Sequence, residues 1–332
     1  MEKVNRKPFS KDSLYLENVE QVIEKITQKM RDDVFGVSKR RGGVIGISGG
    51  IDSAVTMALA AKAFGPEKVF AVMMPEQDSS SDSEDFARKL AAKFGVEAIV
   101  ENLTPALDGF QCYERRDEAF KKVIPSFDPK KHKAKIGIKK TSIFNNLPPI
   151  FYATVIKEDG SEIEKMLPAK EYMQIVASSN FKQRCRMSML YYHAERLHYA
   201  VLGTPNKHEV DQGFFVKYGD GGADLMPIGD LYKTQVYQIA KHMGVPQDII
   251  DRTPTTDTYS AEQTQEEFFY QFPHETLDLL WYAYENKYPA KEVGAVMGYT
   301  DEEIESIFRN FTRKIQTTEY LRMPPIKNYN VI

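Results

Sequence analysis

The chain of 332 residues is 42% apolar and nearly balanced in charge, with 44 basic and 47 acidic residues and a formal net charge of −3. Its length suits one large or two modest domains with a sizeable core, and its charge balance argues against nucleic acid or an acidic membrane as partner. Cys112 and Cys185 have no metal-ligand spacing and suit a reducing compartment, and no apolar run reaches signal or membrane-span length, so a soluble cytoplasmic protein is expected.

In chain order, Leu14 to Phe35 carries apolar residues at helical spacing and predicts a surface helix. Val44-Ile45-Gly46-Ile47 reads as a short buried strand, and Ala54 to Ala63, rich in Ala, Leu and Met, as a helix. Lys68 to Pro75 predicts a second strand, Ser83 to Phe94 a helix stopped by Gly95, and "VEAIVENL" a third strand. This alternation predicts an α/β fold, a doubly wound, mostly parallel sheet with flanking helices.

The pattern changes near Pro105. Residues from about Cys112 to Ala169 read as an inserted element, with the basic run "KKHKAKIGIKK" and two strands around the turn Asp159-Gly160. The basic run is a solvated surface or an anion contact. The α/β pattern resumes with a helix at 181–198, the strand "YAVLGT" and the helix "KTQVYQIAKHMG", and the chain from Glu262 to Thr318 reads as helices. The organisation expected is a helical segment at 1–40, a main domain at 41–260 with its insertion at about 112–170, and a helical region at 261–332 packed on the same domain.

Two stretches carry chemistry. "GISGGIDS" places Gly46, Ile47, Ser48, Gly49, Gly50, Ile51, Asp52 and Ser53 where a strand becomes a helix. Free N–H groups at a helix start attract anions, and glycines allow close approach of a phosphate. Asp52 suits such a site when a divalent cation bridges it to phosphates. The spacing is not that of the G-x-x-x-x-G-K-[ST] loop; a tight turn with an acidic cap is the plain alternative. The second stretch, "YGDGGAD", is a Gly-rich loop with Asp220 and Asp224 behind Lys217. A surface turn and a calcium loop are its rivals, although the EF-hand ligand spacing is missing.

"SGGIDS" resembles the pyrophosphate loop of the N-type ATP pyrophosphatases, which cleave ATP between its α- and β-phosphates and pass AMP to a substrate oxygen. "GFFVKYGDGGADLMPI" and "NFKQRCRM" resemble the matching blocks of the ammonia-dependent NAD synthetases within that superfamily, over about Arg41 to Asp257. The resemblance implies an adenine nucleotide alpha hydrolase-like fold and amidation of nicotinic acid adenine dinucleotide to NAD through an acyl adenylate. The alternative is a related adenylating, amide-forming enzyme acting on another carboxylate. By the same resemblance, Gly46 to Ser53 would cradle the ATP phosphates and Asp52 and Glu209 would hold Mg²⁺. Thr204 would touch adenosine, Lys233 and Thr255 the departing phosphates, and Arg184, Lys217 and Asp224 the dinucleotide. Asp220 would position or deprotonate ammonia. A homodimer is implied. With about forty residues ahead of the loop, no amidase-like domain is expected, so ammonia would arrive free or from a separate glutaminase.

Three departures from the family pattern stand out. The insertion at about Cys112 to Ala169 would be a lid or an oligomer contact. Tyr320 and Leu321 stand where the family carries a substrate-binding His-Lys pair, with Arg322 beside them as a replacement cation. The acidic loop reads "EQTQEEFFYQFPHETLD".

Overall fold

The computed structural model describes residues 6–138, 150–253, 259–261, 263–264 and 269–327. Helix α1 (Val19–Arg31) begins later than the sequence suggests. The Asn18 side chain accepts from the Gln21 N–H and fixes the start. β1 (Gly43–Gly46), α2 (Ile51–Phe64), β2 (Val69–Met73), α3 (Ser81–Phe94) and β3 (Glu97–Val100) follow in the predicted alternation. Gly95, left-handed at φ 67°, ends α3.

After β3 the chain forms α4 (Thr104–Gly109) and α5 (Cys112–Val123), then β4 (Lys133–Ile138), β5 (Phe151–Ile156) and β6 (Glu162–Met166). The sequence reading did not find α4 and α5. Arg116 and Asp117 are buried in α5, so its inward face does not read as an apolar stripe. The basic run read as a solvated surface or an anion contact contains β4, where Ala134 and Ile136 point inward between Lys133 and Lys135. The predicted hairpin is β5–β6, with Gly160 at φ 79° in its turn. Helix α6 (Ala169–Leu197) begins well before residue 181, directly after Pro168, because its first turns bury Ile175, Ser178 and Ser179 rather than an apolar stripe.

β7 (Ala200–Leu202) returns beside β1. Among the described strands the main sheet runs β3-β2-β1-β7, all parallel, while β4-β5-β6 form a separate antiparallel sheet. The main sheet is covered on both faces. Ile45, Ala71, Met73 and Leu202 face α1, α2 and α3 in one core, and Val44, Phe70, Val72 and Val201 face Leu190, Ala194 and Leu197 of α6 in another. Alternate residues of each strand therefore serve opposite layers, as in a doubly wound fold.

The chain continues through α7 (Lys207–Gln212), α8 (Lys233–Met243) and α9 (Gln247–Ile250), and then α10 (His274–Glu285), α11 (Ala290–Met297) and α12 (Asp301–Arg322). The last three pack around Trp281, Leu280 and Phe311, in one cluster with Phe9, Leu14 and Tyr232. Among the described residues no helix is long and apolar enough to cross a membrane.

Strand order decides where the site lies. The chain moves outward from β1 to β2 and β3 and then crosses back to β7. The connections after β1 and β7 leave in opposite directions, and open α/β sheets bind ligands in the crevice at that point.

Candidate active site

A cleft of about 690 Å³ opens at this switch point, lined by Gly46 to Ser48 and Ser53 after β1, Glu76 and Ser79 after β2, and Gly203 and Thr204 after β7. The turn after β1 is shaped for an anion. Gly49 is left-handed at φ 74°, and a Cβ there would lie 2.7 Å from the Ser83 carbonyl oxygen and 2.8 Å from the Phe86 Cβ. Gly50 is the N-cap of α2 without a capping side chain, so the first N–H groups of a long helix point toward the cleft. Ser53 Oγ donates to the Gly50 carbonyl (3.0 Å) and lies 3.4 Å from Ser48 Oγ.

Three charged side chains meet beside this turn. Asp52 stands in the first turn of α2 and Lys233 in the first turn of α8, and they form an ion pair with Lys233 almost wholly buried. Glu209, on α7, accepts from the Asn206 N–H (2.8 Å), and the Asn206 amide reaches Asp52 Oδ1 at 3.4 Å. Burial first, and then Asp52, push the Glu209 carboxyl well above the usual carboxylate range. Burial alone would lower Lys233, but Asp52 and Glu209 outweigh it and hold the ammonium charged. Two part-buried carboxylates therefore face one lysine. They are hard oxygen donors in need of positive charge and fit a magnesium ion, which takes one or two carboxylates and fills its shell with water and phosphate. Among the described residues no cluster of three or more metal-ligating side chains occurs.

Asp220 lines the same cleft, with Oδ1 accepting from the Val216 N–H at 2.8 Å. Burial pushes it up to about 6. Its loop is glycine-rich for close packing: a Cβ on Gly221 would lie 2.2 Å from the Phe215 ring.

The structure thus brings together the turn from Gly46 to Ser53, Asp52, Thr204, Glu209, Asp220 and Lys233. Arg184, Lys217 and Asp224 lie outside the cleft lining. Arg184 Nε donates to the Lys217 carbonyl (3.2 Å), and Lys217 Nζ donates to the carbonyls of Tyr320 (2.7 Å) and Met323 (2.6 Å) at the end of α12. Asp224 accepts from the Val201 N–H (2.7 Å) and from the Tyr191 hydroxyl (3.1 Å). Thr255 falls outside the described residues. Tyr320 and Leu321 do line the cleft. The expectation that Arg322 replaces a lost cation there is corrected: its guanidinium donates to the carbonyls of Val210 (3.1 Å) and Ile315 (2.9 Å), tying α12 to α7.

The sequence reading gave His208 no role and passed over Asp278. His208 Nε2 lies 2.5 Å from Asp278 Oδ1, the Gln212 amide lies 3.1 Å from His208 Nδ1, and Asp278 Oδ2 accepts from the Thr234 N–H at 2.7 Å. His208, Gln212 and Asp278 are all buried. Asp278 therefore caps the start of α8 one residue from Lys233 and anchors α7 at His208, next to Glu209. Seventy residues separate the pair in sequence, so no local pattern announces it.

The NAD synthase family model matches residues 22–128 and 150–325. An NH(3)-dependent NAD(+) synthetase of Mesorhizobium japonicum is 43% identical over 309 residues, covering 93% of this chain and 96% of that protein. Among solved structures, the NMN synthetase of Francisella tularensis superposes with a TM-score of 0.63 at 21% identity, covering 94% of this chain and 98% of that one. The NH3-dependent NAD synthetase of Campylobacter jejuni does so with a TM-score of 0.60 at 22% identity, covering 94% and 100%. Both structures are similar in fold.

Asp278→Ala, which leaves His208 and the Thr234 N–H without their acceptor, is expected to cost about 3–5 kcal/mol of stability in denaturant unfolding. Burial pushes the Asp278 carboxyl up, but the His208 and Thr234 hydrogen bonds outweigh it and hold it below the ordinary 3.8. The contribution is therefore full at neutral pH and is lost as pH falls below that value, so the variant should show a shallower acid limb of stability.

Proposed function

This chain belongs to the NAD synthase family, and from that premise we propose how its own residues carry the family's reaction. It is a ligase that forms a C–N bond, amidating nicotinic acid adenine dinucleotide to NAD with ATP and ammonia and releasing AMP and pyrophosphate. The observation that carries the residue assignment is the meeting of Asp52, Glu209 and Lys233 at the N-terminus of α2.

The ATP phosphates lie along Gly46 to Ser53, against the N–H groups of the first turn of α2. Thr204 touches the adenosine. A carboxylate reacts poorly with ammonia because oxide would have to leave. Its oxygen instead attacks the α-phosphorus, pyrophosphate departs, and the acyl adenylate keeps the former carboxylate oxygen as its bridge. Lys233, with Thr255, draws the charge that develops on the departing pyrophosphate. Asp52 and Glu209 would hold Mg²⁺, which when bound would neutralise phosphate charge. Ammonia then adds to the acyl carbon and AMP leaves with the bridging oxygen. The incoming nitrogen must shed protons, and Asp220 accepts one. Arg184, Lys217 and Asp224 hold the dinucleotide side, Lys217 and Asp224 through the loop they anchor. The working form is a cytoplasmic homodimer, supplied with free ammonia or by a separate glutaminase.

Incubation with ATP, Mg²⁺, ammonia and nicotinic acid adenine dinucleotide is expected to yield NAD, AMP and pyrophosphate in equal amounts. Folded protein that makes none of them overturns the reading. Asp52→Ala should lower turnover at least about a hundredfold, and wild-type turnover from it would end the metal and phosphate assignment. A second expectation concerns pH. Burial raises Asp220 to about 6, so its base form is lost as pH falls through that value, and kcat should fall with it. Asp220→Asn should remove this limb and lower kcat by roughly 10²–10⁴-fold.

A further inference from the structure

The segment between β3 and α6 supports the cleft lining at two places. At the first, α5 faces the loop between β2 and α3, whose Glu76 and Ser79 line the cleft. The Tyr113 hydroxyl donates to Glu76 Oε2 at 2.6 Å and accepts from the Gln77 N–H at 3.2 Å. Arg116 pairs with Asp78 and, at 2.8 Å, with Asp117. From α6, Lys182 completes the cluster, 3.1 Å from Glu76 and 2.5 Å from Asp78. The side chains of Lys182, Glu76, Asp78 and Arg116 are between 0% and 6% exposed. Burying that many charges is a poor route to stability, since apolar residues of similar volume generally do as well or better. Paired charges do impose one geometry, because each displaced member strands another.

At the second place, β4 holds the chain that follows residue 258. The Ala261 N–H donates to the Ala134 carbonyl (3.2 Å), Ser260 Oγ accepts from the Ala134 N–H (2.9 Å), and the buried Gln263 amide donates to the Ile136 carbonyl (2.8 Å). These bonds seat Tyr259 among Phe120, Ile136, Val155 and Ile175, with its ring also forming part of the cleft wall. The family model skips residues 129–149, the stretch that contains β4.

We infer that this segment is a brace for the nucleotide cleft: Tyr113 and Arg116 of α5 fix the loop between β2 and α3, β4 fixes Tyr259 in the cleft lining, and all act as positioning residues for ATP. This differs from a lid or an oligomer contact, the two roles its sequence suggests, because its polar groups are turned inward on these two places. The inference rests on the cleft being the ATP site.

The test is steady-state kinetics of the full chain with ATP, Mg²⁺, ammonia and nicotinic acid adenine dinucleotide. Arg116→Ala and Gln263→Ala should each raise KM for ATP by roughly tenfold to a hundredfold, the scale of a small misplacement of binding groups. Arg116→Lys should recover part of the loss. Lys165→Ala, on an exposed part of β6, should match wild type. A purely structural role would lower the melting temperature and the active fraction while leaving KM for ATP unchanged. If Arg116→Ala does not fold, Tyr113→Phe removes a single hydroxyl from the same clasp and takes its place. Folded variants of both clasps with wild-type KM for ATP would overturn the brace alone. Calorimetry of the wild type with ATP and Mg²⁺ separates the two claims: absence of binding would overturn the cleft assignment and the brace with it.

Discussion

The ion pair between Asp52 and Lys233 is the interaction on which the rest of the site depends. It joins the first turn of α2 to the first turn of α8, and so fixes the two helix ends that face the cleft. Lys233 is not neutralised by Asp52 alone. It also faces Glu209, whose carboxyl is raised by burial and by Asp52. Two carboxyl groups share that one cation, so ionising both needs further positive charge, of which the free N–H groups at the N-terminus of α2 supply only part. A phosphate chain arriving with a divalent cation satisfies both needs, whereas either alone meets repulsion or lacks ligands. On the proposed function, that is the physical reason an acid sits beside the phosphates.

The fold makes the arrangement possible by its strand order. Because β7 returns beside β1, the turn after β1 and the residues after β7 rise from neighbouring strands. Asp52 and Glu209, far apart in sequence, come within electrostatic reach of each other. The buried contacts of α7 divide by face. Glu209 looks toward the cleft, while His208 and Gln212 are bound into the packing against α10. The C-terminal helices hold α7, which carries Glu209, in place from behind, and Asp278 caps α8 at the same time.

The legible parts of the sequence were those whose geometry is local. "GISGGIDS" announced itself because a left-handed Gly49 pressed against Ser83 and Phe86 tolerates no side chain, and the parallel strands announced themselves by continuous apolar runs. Gly160 marked the hairpin by its positive φ alone, since nothing crowds it. What stayed hidden depends on partners distant in the chain. Arg116 and Asp117 disguise the buried face of α5 because Arg116's other partner, Asp78, lies elsewhere in the fold. His208 looked idle because Asp278 lies on another helix. The sequence suggests substrate contacts for Lys217 and Arg322, and only the folded chain shows them bonded to carbonyls around α12. Composition could not separate a cation facing a ligand from one closing a helix end.

The central claim is that the carboxylate of nicotinic acid adenine dinucleotide attacks the α-phosphorus of ATP in the cleft at the start of α2. The most direct test is to label that carboxylate with oxygen-18, run the reaction to completion and locate the label by mass spectrometry. The account predicts one labelled oxygen in AMP and none in pyrophosphate, because the bridging oxygen of the acyl adenylate leaves with AMP. Label in pyrophosphate or in free phosphate, with unlabelled AMP, would contradict it.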